Sequence, residues 1–98
     1  MARQAVALKA IDRKTHAVWW SRMQKKNLDD LKADLAFNLR TIRLSKGIAQ
    51  EGLAFDAGVD RTVVSKIERA VTNPSLDVLL RLANQLEVHI TALLKSRP

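Results

Sequence analysis

Ninety-eight residues, 47% of them apolar, suit one folded domain with a single modest core rather than two domains or a disordered chain. The absence of cysteine excludes a disulfide framework and thiolate metal sites and fits a reducing compartment such as the cytoplasm. The net charge of +7 points to a polyanionic partner, and no apolar run is long enough for a membrane helix.

In chain order, residues 1–27 form a basic N-terminal extension of undecided structure. They hold seven basic side chains against the single acid Asp12, a net +6, whereas residues 28–98 hold ten against nine, only +1. The first residues, MARQAVALKAIDRK, are broken by charge every few positions and lack a signal peptide's apolar region. Ala2 to Ile11 has high helix propensity, while THAVWW is aromatic and β-branched and is compatible with a strand. The composition changes near Asn27, the one candidate boundary in the chain.

From there the spacing predicts helices. Leu28, Leu31, Leu35, Leu39 and Ile42 recur at three and four residues, with Asn27 as cap, Asp29 and Asp30 at the positive end of the helix dipole, and Gly47 as terminator. A second, short helix fits Gln50–Ala57, closed by Gly58. A third runs over 60–69 with Asp60 as cap. TNPS is a loop, and Ser75 caps a fourth helix striped by Leu76, Leu79, Leu80, Ala83 and Leu86. Glu87 to His89 reads as a turn. Residues 90–95 read as a fifth helix, with a strand over 88–94 as the alternative, because Val-His-Ile-Thr is β-prone.

The third helix divides cleanly. At about 100° per residue from Arg61, the residues Thr62, Ser65, Lys66 and Arg69 share one arc, and Val63, Val64 and Ile67 occupy another. Taken alone, the polar arc is either a solvated face or a binding face. Its neighbours favour binding. In residues 50–69, Ala54 is the small residue needed where two short helices touch, and Gly58 tolerates the positive φ of a sharp turn. Leu53, Ala57, Val59, Val64 and Ile67 supply apolar seats around them. Two helices joined by a glycine-bearing turn, the second with a polar outer face, are the pattern of a helix-turn-helix.

Residues 35–94 resemble the helix-turn-helix family of the phage lambda repressor, Cro and the xenobiotic-response-element-type (Xre) bacterial regulators. The run GVDRT…S.IER…NPSL is similar to restriction–modification controller proteins within it. The resemblance implies an all-α, five-helix lambda-repressor-like domain over 28–98. It further implies a transcriptional regulator, a repressor or autoregulator, that binds a palindromic operator in double-stranded DNA as a homodimer. Carried over position by position, Arg61, Thr62, Ser65 and Lys66 read bases, and Gln50, Arg40 and Arg69 meet the DNA backbone. Arg43 and Glu68 match a pair that forms a structural salt bridge. Beyond the carried-over positions, the fifth helix is expected to form the dimer interface through Ile90, Leu93 and Leu94. The chemistry suits these roles: Arg and Lys donate to guanine O6 and N7, and Thr meets a base edge or a thymine methyl.

Two positions depart from the family pattern. Ala70 stands where a glycine usually ends the recognition helix, and Gly52 sits inside the second helix. The N-terminal extension lies outside the resemblance. It is either a basic arm for DNA phosphates, or a packing segment in which Val18, Trp19, Trp20 and Met23 cover the core or a partner.

An enzyme is not expected. His16 and His89 are the two histidines, and no metal-ligand spacing, nucleophile elbow, phosphate-binding glycine loop or cofactor motif accompanies them. The competing reading is an antitoxin whose extension binds a protein partner and whose DNA binding serves autoregulation. Either way the expected setting is the cytoplasm, at the nucleoid.

Overall fold

The computed structural model describes residues 25–98. Within them the chain forms α1 (Leu28–Ser45), α2 (Gln50–Ala57), α3 (Val63–Glu68), α4 (Leu76–Leu86) and α5 (Thr91–Leu94), and no strand. The helix and strand expectations for residues 2–20, and the packing expectation for Val18, Trp19, Trp20 and Met23, lie outside the described residues.

Local chemistry fixes the helix starts. Asn27 Oδ1 accepts from the Asp30 amide at 2.8 Å, and Ser75 Oγ accepts from the Val78 amide at 3.1 Å, so each side chain satisfies an otherwise orphaned donor.

The helix ends share one device. After α1, α2, α3 and α4 the chain steps through a left-handed residue, with φ 67° at Gly47, 72° at Gly58, 58° at Ala70 and 60° at Glu87. The following amide then reaches back to an orphaned carbonyl. Ile48 bonds to Arg43, Val59 to Ala54, Val71 to Lys66 and Val88 to Ala83, all at 3.0–3.2 Å. This reversal turns Ile48, Val59 and Val88 back onto the core. Glycine takes the left-handed conformation without steric cost, but Ala70 and Glu87 do not; each costs about 1 kcal/mol.

The core joins all five helices. Leu35 and Leu39 come from α1, Leu53 and Ala54 from α2, Val64 and Ile67 from α3, Leu79, Leu82, Ala83 and Leu86 from α4, and Leu93 from α5. α1 packs on α3 and α5, while α2 packs on α3 and α4. Ala54 is wholly buried, as expected of the small residue between two touching helices.

Three expectations are corrected. The third helix is shorter than 60–69: it starts at Val63, because Asp60 closes a tight turn instead of capping a helix. Asp60 Oδ1 accepts from both the Thr62 amide (2.9 Å) and the Thr62 hydroxyl (2.7 Å), and the Asp60 carbonyl takes the Val63 amide. The last helix is a single turn, Thr91–Leu94, inside the expected 90–95. Leu93 does not present itself to a second chain: it is 0% exposed, and its carbonyl accepts from Asn38 Nδ2 at 2.9 Å.

These helix ends give a direct test. Ala70→Gly relieves a left-handed alanine and should raise stability by about 1 kcal/mol. Gly52→Ala should add about 0.5–1 kcal/mol, since an added Cβ meets nothing within 4 Å and the helical φ suits alanine. The urea midpoint, at unchanged m-value, reads both. A lower midpoint for Ala70→Gly would contradict the strain.

Candidate nucleic-acid interface

The polar face is held from beneath by a buried ion pair. Arg43, near the end of α1, directs its guanidinium at Glu68, the last residue of α3: Nε lies 2.6 Å from Oε2 and Nη2 lies 2.9 Å from Oε1. Arg43 Nη1 also donates to the Ile48 carbonyl at 2.8 Å, tying in the turn after α1. Gln50, opening α2, donates its amide to Glu68 Oε1 at 2.9 Å, and Arg40 Nη1 stands 3.7 Å from the same oxygen. The Glu68 side chain is 2% exposed, so one carboxylate joins α1, α2 and α3 out of contact with solvent.

Burial pushes the Glu68 carboxyl upward. The hydrogen bonds from Arg43 and Gln50, with the Arg43 and Arg40 charges, outweigh it and hold the group below the ordinary glutamate value. The Glu68 hydrogen bond in turn raises Arg43 against its own burial, so both partners stay charged.

Above this bridge the expected base-reading residues come together on α3 and the turn that leads into it. Arg61, Thr62 and Lys66 are exposed, and Ser65 is half-buried. Arg61 and Thr62 belong to the turn, so only Ser65 and Lys66 stand on the regular helix. The Thr62 hydroxyl spends its proton on Asp60, leaving lone pairs and a methyl for a base edge. Those Thr62 hydrogen bonds keep the Asp60 carboxyl below the usual aspartate range.

Arg69 Nε sits 3.3 Å from Ser65 Oγ, which holds both side chains along the same face. Arg61 Nε lies 4.0 Å from Glu51 Oε2, a solvent-exposed pair too weak to withhold the arginine from a ligand. Arg40 is exposed at the rim. Gln50 differs from its expected role in one respect: one of its two side-chain amide N–H groups already serves Glu68, so the second and the backbone N–H at the start of α2 are what remain to donate.

The sequence reading missed two features. Phe55, 84% exposed, flanks Arg61 across a shallow depression lined by Glu51, Phe55, Val59 and Arg61. Its spacing of four residues from Glu51 on the outer side of α2 was the available signal.

The second is a polar clamp inside α1. Asn38 Nδ2 donates to the carbonyls of Leu93 and Lys95, and Asp34 binds Lys26 Nζ, the Arg97 amide and the Arg97 guanidinium. Both side chains are buried and lie one helical turn apart, so they hold the segment after α5 against α1. The hydrogen bond from Lys26 outweighs burial and keeps the Asp34 carboxyl below the aspartate norm, with the Arg97 amide and both charges adding to it. Two polar residues inside an apolar stripe were the visible hint.

A helix-turn-helix family profile (HTH_3) matches residues 39–93, more than half of the chain. A hypothetical transcription factor of Neisseria meningitidis serogroup B is 46% identical over 59 residues, covering 60% of this chain and 56% of that protein. The chain thus spans little more than half of that relative's length. The control protein C.SmaI of Serratia marcescens is 37% identical over 65 residues, 66% of this chain and 77% of that one. The crystal structure of a hypothetical transcription factor from Neisseria superposes with a TM-score of 0.66 at 41% identity, covering 72% of this chain and 82% of the other.

Both buried carboxylates titrate below their ordinary values, so their stabilisation is complete above the unfolded-state pKa and is lost as pH falls through the folded one. Stability should therefore decline on acidification below about pH 4. Asp34→Asn removes one of the two contributions, so its urea midpoint should fall less between pH 5 and pH 3 than that of the parent chain. Identical slopes for the two proteins would show that Asp34 is not linked to folding.

Proposed function

The chain belongs to the HTH_3 helix-turn-helix family, and from that premise we propose that it is a sequence-specific DNA-binding transcriptional regulator that works as a homodimer on a palindromic operator. One observation carries the reading: Arg61, Thr62, Ser65 and Lys66 stand together on α3 and its leading turn, fixed from below by the buried Arg43–Glu68 pair. A solvated face requires no such anchoring. Base reading does, because a bidentate contact to a base edge tolerates little displacement.

In this account α3 enters the major groove, with Arg61 and Lys66 donating to guanine edges and Thr62 meeting a base edge or a thymine methyl. Arg40, Arg69 and the start of α2 at Gln50 meet phosphates on either side. Residues 28–98 carry a net charge of only +1, so affinity depends on placing cations on this face rather than on bulk charge.

Two protomers set their α3 helices in successive major grooves through a surface that includes Ile90 and Leu94, both partly buried within one chain. The likeness to a control protein supports a regulator, acting as repressor or autoregulator at the nucleoid. No helix among the described residues is long and apolar enough to cross a membrane.

Selection of bound duplexes from a random pool tests the proposal. It should return a two-fold symmetric site with half-sites about 34 Å apart, one helical turn. On that site Lys66→Ala should lose about 1–3 kcal/mol of discrimination at one base position per half-site. Failure to enrich any sequence would refute specific recognition, and an asymmetric single half-site would refute the dimer.

A further inference from the structure

An apolar groove of about 180 Å³ runs between the start of α1, the loop after α3, the start of α4 and α5, lined chiefly by Leu28, Leu31, Pro74, Leu76, Leu79 and Leu94. Two of its leucines are conspicuously uncovered: Leu28 is 50% exposed and Leu76 is 75% exposed. Among the described residues nothing covers them, and exposed leucines gathered at one groove mark a binding surface.

The chain itself supplies an occupant. Twenty-four residues precede Lys25, and their last third holds Val18, Trp19, Trp20 and Met23, with both tryptophans of the chain. The point of entry is anchored at the groove. Lys26 Nζ binds Asp34 Oδ2 at 2.5 Å and Ser96 Oγ at 2.7 Å, pinning the chain between α1 and the segment that follows Leu94. Leu28, two residues on, already lines the groove. Trp20 is eight residues from Leu28, a span that extended chain bridges over about 26 Å.

Charge agrees with this placement. Residues 1–24 carry five basic side chains against one acid, and the groove's α1 end presents the exposed Asp29 and Asp30.

We propose that residues 17–23 fold back on their own chain and seat Trp19 and Trp20 in this groove, closing the apolar surface formed by α1, α4 and α5. Indole rings suit such a site: they bury a large apolar area while the ring N–H remains able to reach a polar rim. Leu94 belongs both to this groove and to the surface assigned to self-association, so the arm and a second copy contend for it.

Trp19 and Trp20 are the only tryptophans and the chain has no tyrosine, so tryptophan emission reports on this segment alone. Emission and acrylamide quenching of the full chain are measured across a dilution series, with sedimentation at the same concentrations. The proposal expects an emission maximum to the blue of the urea-unfolded chain, protected from quencher, and unchanged by dilution into the monomer. Leu76→Asp should shift it toward the unfolded value. Leu76 opens α4, where an acid suits the helix dipole, so that helix should persist by circular dichroism. Leu80→Ser, outside the groove, should leave the emission unchanged.

Emission like that of the unfolded chain would overturn the proposal, as would a blue shift indifferent to Leu76→Asp. A blue shift that appears only as dimers form would also overturn it and assign the tryptophans to an interface between copies.

Discussion

The Glu68 carboxylate lies where three helices meet, and its burial constrains everything built above it. Removed from water, a carboxylate is tolerated only with a complete set of partners, and here they come from separate elements: Arg43 from α1 in bidentate form, Gln50 from α2, and the Arg40 charge nearby. Taking away one partner of such a pair costs about 3–5 kcal/mol, whereas replacing both by apolar groups is often neutral. The bridge is therefore weak evidence for added stability and strong evidence for orientation. It ties the end of α3 to α1 and to the start of α2. The face carrying Ser65 and Lys66, and the turn carrying Arg61 and Thr62, inherit that setting.

Repeated use of one helix ending serves the same purpose by a different route. Four left-handed residues, each followed by an apolar residue whose amide bonds backward, let short helices reverse direction without unsatisfied carbonyls. Two of those positions are glycine and two are not. The strain at Ala70 sits just after α3, on the segment that delivers the chain to α4. The Asp34–Asn38 clamp completes the arrangement at the other end, holding the chain after α5 to α1 with buried hydrogen bonds.

Much of this was legible in the residues. Asn27, Ser75, Gly47 and Gly58 mark helix limits through side-chain and backbone chemistry that acts locally, and the structure has them in those roles. The pairing of Arg43 with Glu68 came from family resemblance, since 25 residues separate them and no local rule joins them. Asp60 misled because an aspartate before a helix satisfies amides equally well as a cap or as a tight turn, and the adjacent Thr62 hydroxyl favours the turn. Leu93 misled because a one-turn helix is too short for periodicity to tell its inner face from its outer one. Glu87 gave no warning: a left-handed non-glycine residue is imposed by the chain reversal around it and leaves no mark in composition. The roles of Asp34 and Asn38 depend on tertiary partners that the sequence does not bring together.

Residues 28–98 are nearly neutral, so recognition in this account depends on where their cations sit. The ten basic side chains of residues 28–98 are offset by nine acids, whereas the seven of residues 1–27 stand against one. What makes the placed cations selective, in this account, is the Glu68 anchor, and one measurement addresses that directly. Glu68→Gln is compared with the parent chain for affinity to the selected operator and to random duplex, under conditions where circular dichroism shows the helices intact. The account predicts that the ratio of specific to non-specific affinity collapses toward one while non-specific binding persists. A ratio equal to that of the parent chain would contradict the claim that this buried carboxylate sets the DNA-reading face.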